Sequence, residues 1–392
     1  MNAHRRIVAL VCSAALLAGA ASSESRKPPY ARAIDRSRAV LGEVLQLYPG
    51  TSVAVAVGDE IVWSQAFGFA DVERQRPVSR ATQFRVYEVA MPLTATLMAR
   101  LADEGRLDLD APIQRYVPGV EDGGFPVTIR ALAAHVSGAR DFVGEEGAPA
   151  PCSGARDAAR RLPPQLFVRP PGLGYTMSRP GYLLLSAALE SASGKSFGDL
   201  LAETIAAPAG MNSTMVDDPR RFLPGRTLFY ERGWFGLLRS AREVDTSCRS
   251  GAGGLLSTTG DLARFGAALL RGEILRRETL EAMFTVQKTR TGTETGYGLG
   301  WHVETDARGR RVLWHGGRGV GGRAAIVLVP HARLVAVMLS NIEGEMLDEH
   351  ARRIAAFFLE DAEASGSTPD MMRAYGPSKT LPPFVDGALP AP

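Results

Sequence analysis

The stretch FRVYEVAMPLTATLMARLADEGRLDLD, residues 84–110, contains the helix around which the rest of the chain can be organised. Its leucines recur at four-residue spacing, at Leu93, Leu97 and Leu101. This spacing puts the three side chains on one face and predicts a buried helix over residues 92–104. The residues just before that helix, 88–91, include two of the candidate site positions.

Outward from this helix, the sequence predicts strands towards both ends of the chain and helices between them. Apolar runs predict strands over 51–57, 61–69, 311–314, 324–329 and 334–340. Helical periodicity and capping residues predict further helices over 34–48, 128–136, 180–193, 261–270 and 347–359, and one that begins at Ser196. Strands at both ends around a helical middle predict an α+β domain in which the two halves of one mixed sheet come together.

We therefore expect a single domain over residues 21–361. Its sheet lobe covers about 35–87 and 285–361, and a helical lobe over about 88–284 is inserted between these two parts. A cleft between the lobes is the default position for a functional site. Residues 362–392 are rich in Pro, Gly and Ser and are expected to form a flexible tail.

Composition narrows the function classes. The chain has 392 residues, 45% of them hydrophobic, which is typical of a globular protein with a full core. The formal charge of +3 comes from 45 basic and 42 acidic residues, so a nucleic-acid partner is not expected. The six histidines show no metal-ligand spacing, and neither a metal nor another cofactor is expected.

The first twenty residues resemble an export signal. Arg5 and Arg6 give a positive start, and the apolar run at 7–17 is too short to span a bilayer. Small residues at 18–20 then fit a cleavage site, which predicts that residues 1–20 are removed on export to the periplasm or the medium. The alternatives are a first strand or a membrane anchor.

The cysteines agree with export without proving a bridge. A lipoprotein site at Cys12 is rejected because Val11 before it is too large for that processing. Export leaves Cys152 and Cys248 in an oxidising compartment, where one disulfide is possible but not established by spacing. No later apolar run is long enough to cross a membrane.

Several further segments occur in an order that identifies a family. They are LADEGRLDLD (101–110), VTIR (127–130), HVSG (135–138), PG (171–172), GKSF (194–197), PAGM (208–211), GGLLST (253–258), GYGLGW (296–301), HGG (315–317) and LSN (339–341). Together they resemble the penicillin-binding serine hydrolases of the class C β-lactamase and D-alanyl-D-alanine peptidase type, from about Thr51 to Leu359. The resemblance implies a mostly antiparallel sheet flanked by helices.

This family builds its site from three motifs, and the resemblance implies where they fall. The first is S-x-x-K at a helix start, which supplies the acylated Ser and a Lys; here Glu88 and Met91 stand at those positions. The second is Y-x-N, which supplies a base and a substrate contact; here Met177 and Arg179 replace them. All the side chains of both motifs that carry acylation are therefore changed.

The third motif survives as His315-Gly316-Gly317, which in the family shapes the oxyanion and carboxylate side of the cleft. Gly316, Gly317 and Arg179 are therefore the candidate substrate-binding positions. His315 either assists chemistry directly or only donates a structural hydrogen bond.

A slipped register does not restore the missing groups. No Ser lies between Ser79 and Ser137, so a one-residue shift supplies no nucleophile. A shift of the second motif brings Tyr175 forward but still lacks the Asn. His135 and Ser137 fall in a segment that the family uses structurally, and we interpret them as packing and capping residues.

Two hypotheses follow for the altered site. In the first, Glu88 and Arg179 form a bidentate ion pair that plugs the former catalytic pocket, with two thioethers beside it. In the second, Glu88 acts as a base or nucleophile, Arg179 holds a substrate carboxylate and His315 assists. The first is preferred because one charge pair explains two substitutions.

Two other segments invite a functional interpretation. The glycines at 319, 321 and 322 are interpreted as a turn beside the cleft, since no Lys-Ser/Thr follows as a phosphate loop requires. The apolar segment WFGLL at 234–238 is expected to pack in the core, with a lid over the cleft as the alternative.

The sequence therefore favours an exported pseudoenzyme. Such a protein keeps the penicillin-binding fold and binds a small molecule, a peptide, a cell-wall fragment or a protein partner in its inter-lobe cleft. The alternative is an active hydrolase or transferase that acts on an ester or amide through Glu88 and His315 in a rearranged site.

Overall fold

The computed structural model describes residues 30–44, 48–143, 151–344 and 346–364. The helices are α1 (Ala31–Val44), α2 (Ala90–Asp103), α3 (Ile129–Ala133), α4 (Ala155–Arg160), α5 (Arg179–Ser193), α6 (Phe197–Leu201), α7 (Ser250–Gly253), α8 (Thr259–Arg271), α9 (Arg277–Met283) and α10 (Leu347–Ala364). The strands are β1 (Gly50–Val57), β2 (Glu60–Asp71), β3 (Arg76–Pro77), β4 (Phe84–Arg85), β5 (Met215–Val216), β6 (Tyr230–Arg232), β7 (Leu238–Ser240), β8 (Leu255–Ser257), β9 (His302–Thr305), β10 (Arg311–Gly319), β11 (Gly322–Val329) and β12 (Leu334–Ser340). Within these described ranges, no helix is long and apolar enough to cross a membrane. The predicted signal peptide lies outside them.

Seven strands form one sheet in the order β3-β2-β1-β12-β11-β10-β9. Strand β1 pairs with β12 from Thr51 opposite Ser340 to Val57 opposite Leu334. The first and last strands, β1 and β12, therefore meet in the middle of this sheet, and the helical segment is inserted between them in sequence. The pairings are antiparallel, so the sheet is not the mixed one that element order alone suggested.

Both faces of the sheet are covered because its central strands are apolar on both sides. In β12, Leu334 and Ala336 belong to the core under α1 and α10, whereas Val335 and Val337 belong to the core shared with the helical lobe. This alternation follows from the two-residue period of a strand. Helix α10 packs on β11 and β12, and α8 packs against β1 and β12.

The structure confirms the α+β fold class, with local differences in element ends. Strand β12 has the predicted bounds. Helix α3 is shorter than the predicted 128–136, because Thr128 caps its start and His135 adopts a left-handed conformation with φ 58°. Helix α10 continues to Ala364, so the predicted tail cannot begin at residue 362. Residues 365–392 lie outside the described part.

A disulfide joins Cys152, just before α4, to Cys248, just before α7, with their Cα atoms 4.9 Å apart. The backbone N–H of Cys152 also donates to Ser247 Oγ at 3.0 Å. The disulfide that the sequence left open is therefore present. It ties the loop that leads into α7 to the segment before α4.

Phe235 and Leu237 of the apolar segment 234–238 are not in the core. They lie in the turn between β6 and β7, where Phe235 is 97% exposed and Leu237 is 70% exposed. The prediction of core packing is wrong, because these side chains lie at the end of a two-stranded hairpin that is separate from the main sheet.

Candidate functional site

Glu88 lies in the 3-10 turn Tyr87–Val89 that leads into α2. Its carboxylate Oε2 accepts a hydrogen bond from the backbone N–H of Arg318 on β10 at 2.9 Å. Burial raises the pKa of Glu88 above its ordinary value, although hydrogen bonds from the backbone N–H groups of Arg318 and of Glu88 itself, and the charge of Arg179, act in the opposite direction. Two backbone donors therefore converge on the side chain that replaces the nucleophile.

Strand β10 can come this close because Gly317 and Gly319 lack side chains. A Cβ added to Gly317 would lie 2.7 Å from both Glu88 N and Val86 O, and one on Gly319 would lie 2.5 Å from the Tyr87 ring. The Tyr87 hydroxyl in turn donates to Val320 O at 2.9 Å. The glycines of this segment thus allow close packing, and Gly319 pairs with Gly322 at the turn that joins β10 and β11.

Tyr87 itself has φ 47°, in the left-handed region that is costly for a bulky residue. This conformation turns the chain sharply between β4 and α2. It holds the Glu88 backbone and side chain towards β10, which is the local reason for the contact with Arg318.

Arg179 opens α5, but it does not pair with Glu88. Its Nε and Nη2 lie 3.0 and 2.9 Å from Asp141 Oδ2, and its backbone N–H donates to Asp141 Oδ1 at 3.1 Å. Among the described residues no ion pair joins Glu88 to Arg179, so the predicted plug is wrong in its geometry. The physical reason is Asp141, on the loop after α3, which reaches both the backbone and the guanidinium at the start of α5.

Arg249 adds a second positive group that the sequence did not indicate. It follows the disulfide cysteine Cys248. Burial lowers its pKa, the Arg179 charge lowers it further, and Glu88 acts in the opposite direction. Two guanidinium groups and the carboxylates of Glu88 and Asp141 thus interact electrostatically around the former nucleophile position.

His315 is closed off from this charge cluster. It is 0% exposed, its Nδ1 lies 2.8 Å from Gly316 O, and its Nε2 lies 3.0 Å from the Tyr297 hydroxyl. Because a carbonyl can only accept, Nδ1 carries the proton and Nε2 accepts from Tyr297. Burial lowers the pKa of His315 well below its ordinary value, so the ring stays neutral. Of the two interpretations, the geometry agrees with a structural hydrogen bond.

The two methionines differ in position. Met91, at the former Lys position, is 0% exposed within the main core. Met177 is half-buried just before α5. The structure thus brings Glu88 near the Gly317 segment and near the Arg179 charge, but it places Met91 in the core. Asp141, Arg249 and Tyr297 were missed, since each reaches the site only through tertiary packing.

The segment around His135 is structural, as predicted. His135 is 1% exposed, and its Nδ1 accepts from the backbone N–H of Ser178 at 3.1 Å. Ser137 is 2% exposed, and its Oγ accepts from the backbone N–H of Ala139 at 3.3 Å. Neither lies in an arrangement that would activate a hydroxyl.

A pocket of about 550 Å³ lies between α1, β2 and the start of α8, and Glu88 is not among its lining residues. Its arginines already bond within the protein: Arg80 donates to Ser64 O, and Arg264 donates to Gly210 O and pairs with Asp261. We assign it no role. Across the described part of the chain, no group of three or more His, Cys, Asp or Glu side chains is placed to hold a metal ion.

Comparison with known proteins shows the family of the chain. A family model described as Beta-lactamase matches residues 39–359. Penicillin-binding protein 4* of Bacillus subtilis is 29% identical over 330 residues, which cover 79% of this chain and 72% of the relative. The human mitochondrial serine beta-lactamase-like protein LACTB is 26% identical, over 87% of this chain and 83% of the relative.

A solved structure supports the fold alone. The octameric penicillin-binding protein homologue from Pyrococcus abyssi superimposes with a TM-score of 0.73 at 23% identity, covering 85% of this chain and 77% of that one.

Proposed function

Since the chain belongs to the beta-lactamase family, we propose that it is an exported member that binds a ligand or partner in its inter-lobe cleft without forming an acyl-enzyme. The family resemblance predicted from the sequence is confirmed. The loss of catalysis and the export are proposals.

One observation carries the proposal: the Glu88 carboxylate accepts from the Arg318 backbone N–H at 2.9 Å. In acyl transfer, such backbone donors stabilise the negative oxygen of the tetrahedral intermediate. Here the Glu88 carboxylate already accepts the hydrogen bond that the Arg318 backbone N–H can donate. The same side chain therefore removes the nucleophile and occupies a hydrogen-bond donor that the reaction would need.

The surroundings of Glu88 support a binding role over a rearranged catalytic one. A general base needs a partner that positions or relays the proton. His315 is buried and neutral and is bonded to Tyr297 and Gly316 instead. Arg179 is engaged with Asp141, which leaves Glu88 without the substrate-clamping partner that the alternative requires.

Export is supported by the bridge between Cys152 and Cys248. Disulfides persist in oxidising compartments such as the periplasm and are rare in the cytosol. The predicted signal peptide over residues 1–20 would deliver the chain there.

We infer the ligand class from the family. The Bacillus subtilis relative is named for binding penicillin. A β-lactam is therefore the first probe for a cleft that we expect to hold a peptide or a cell-wall fragment.

The test is incubation of the purified mature protein with a fluorescent penicillin and with a nitrophenyl ester. Intact-mass analysis, fluorescence polarisation and hydrolysis are measured alongside the Glu88→Ala variant. We expect reversible binding, no mass adduct and no hydrolysis above the buffer rate. A stable adduct, or turnover that disappears in Glu88→Ala, would overturn the proposal.

A further inference from the structure

The turn between β6 and β7 presents three apolar side chains to solvent. Phe235 is 97% exposed, Leu237 is 70% exposed and Leu238 is 38% exposed. We call these three residues the apolar tip. Single exposed apolar residues are common on protein surfaces, but three within four positions at the end of a hairpin are not needed by the fold.

The local backbone does not explain the aromatic residue either. The turn Gly233–Gly236 is closed by the backbone N–H of Gly236, which donates to Gly233 O at 3.1 Å. Phe235 is its third residue, with φ 61°. That conformation favours Gly or Asn and is costly for a bulky side chain. Neither core packing nor turn chemistry therefore accounts for a phenylalanine here.

Cationic side chains flank the apolar tip. Arg232 at the end of β6, Arg239 in β7 and Arg242, two residues after β7, are exposed. Arg232 also donates to Gly236 O at 3.2 Å, and Arg239 pairs with Glu231 at 2.9 Å. Residues 230–242 contain three arginines and one glutamate, so the hairpin and its exit carry a net positive charge.

We propose that the hairpin docks the protein onto an anionic lipid surface, with the apolar tip inserted between the headgroups and the arginines in contact with them. Apolar and aromatic residues partition into the bilayer interface, and nearby Lys and Arg side chains add attraction to anionic lipid. A protein partner fits less well. A stable protein interface needs roughly 20–30 residues a side, and a protruding tip of three side chains offers little flat area.

The hairpin is attached where docking would affect the cleft. The Tyr230 hydroxyl at the start of β6 donates to Glu73 Oε2 at 2.7 Å, and the Arg85 guanidinium lies 4.3 Å from the centre of the Phe229 ring. A Cβ on Gly321, in the turn between β10 and β11, would lie 2.4 Å from Phe229 Cβ. The base of the hairpin thus packs against the turn next to Arg318, so a docked molecule would keep its cleft near the lipid surface.

The test is flotation of the mature protein with vesicles of phosphatidylcholine alone and with added phosphatidylglycerol, at low and high salt. We expect binding only to the anionic vesicles. The double variant Phe235→Ser/Leu237→Ser should weaken this binding at least tenfold, because both side chains lose their apolar burial. Arg232→Gln should weaken it about fivefold and reduce its salt dependence.

Val168→Ser provides the matched control, since Val168 is 59% exposed elsewhere on the surface. Its vesicle binding and melting temperature should equal those of the wild type. Failure of the wild type to float with anionic vesicles overturns the proposal, as does an equal loss in Val168→Ser. An oligomer that dissociates in Phe235→Ser/Leu237→Ser without any vesicle binding would also overturn it, in favour of self-association. The outcome is independent of whether the cleft acylates penicillin.

Discussion

The backbone N–H of Arg318 lies 2.9 Å from Oε2 of Glu88 and donates to it. This contact links the strand β10 to the turn before α2. A serine side chain is two atoms shorter and would leave the donor free. The replacement of one residue thus changes both the nucleophile and the electrostatics of the site.

Restoring the family residues should therefore restore acylation. The variant Glu88→Ser/Met91→Lys/Met177→Tyr/Arg179→Asn is expected to give a covalent penicillin adduct by intact mass. Met91 is fully buried, so a lysine there needs the restored hydroxyls as partners. The matched control carries Glu88→Gln with the other three changes and should give no adduct. A folded restored variant that binds penicillin reversibly but never reacts would show that more than these four positions has been lost.

The carboxylate of Glu88 should make stability depend on pH. Burial raises its pKa above the ordinary value of 4.5. The unfolded chain therefore loses this proton at a lower pH than the folded chain, so stability falls as the pH rises from 4.5 through the folded pKa. Glu88→Gln removes the free-energy cost of burying an ionised carboxylate. The glutamine amide oxygen can still accept the hydrogen bond from the Arg318 backbone N–H.

We expect the free energy of unfolding of Glu88→Gln to exceed that of the wild type at neutral pH, and the difference to shrink below pH 4.5. Urea unfolding of both proteins at a series of pH values measures this difference in the free energy of unfolding. A variant that is less stable than the wild type at neutral pH would mean that the ionised carboxylate stabilises the fold.

The pair between Arg179 and Asp141 should contribute only modestly to stability. Their side chains are 31% and 36% exposed, so solvent screens the attraction. A double-mutant cycle with Arg179→Gln and Asp141→Asn is expected to give a coupling energy of about 1 kcal/mol or less. A coupling several times larger would indicate that the pair is held in a drier environment than the structure shows.

The disulfide should contribute more to the free energy of unfolding than the pair between Arg179 and Asp141 does. It joins residues 96 apart in sequence, and closing a long loop restricts the unfolded chain. We expect Cys152→Ser/Cys248→Ser to lower the free energy of unfolding by about 2–4 kcal/mol. The wild type treated with a reductant should show the same loss, whereas the double variant should not respond to reductant. A reductant effect that persists in the double variant would point to a different cause.

The features that could be predicted from the sequence were the strands and helices with a clear hydrophobic periodicity. Strand β12 has the predicted bounds because its six consecutive apolar residues follow a turn and end at Ser340. The family motifs placed Glu88 at the start of α2 because segments on either side fixed the register. Charge pairs were less predictable: Arg179 has two acidic candidates, and only the folded loop after α3 shows that Asp141 is the nearer one.

Two features had no signal of the kind that sequence reasoning uses. The partner of Glu88 is a backbone N–H, which every residue except proline carries, so no residue type marks it. The segment around Phe235 has the composition of core, and its exposure depends on where the hairpin projects. Most core residues are apolar, but an apolar residue is not necessarily buried, because much of a normal protein surface is also apolar.

The buried histidines should make the protein sensitive to acid. Burial lowers the pKa of His302 from 6.5 to about 4, and it lowers that of His135 to about 3. In the unfolded chain these rings take up protons below pH 6.5, while the folded chain keeps them neutral, so stability falls as the pH drops through that range. His302 stacks on Trp314 with ring centres 4.3 Å apart and is the less buried of the two, so His302→Gln should still fold. We expect this variant to lose about 1.4 kcal/mol per pH unit of the acid dependence between the two pKa values of His302. Chemical unfolding at pH 4, 5, 6 and 7 would measure the slope. An unchanged slope would mean that His302 becomes protonated within the folded protein, with the ring open to water.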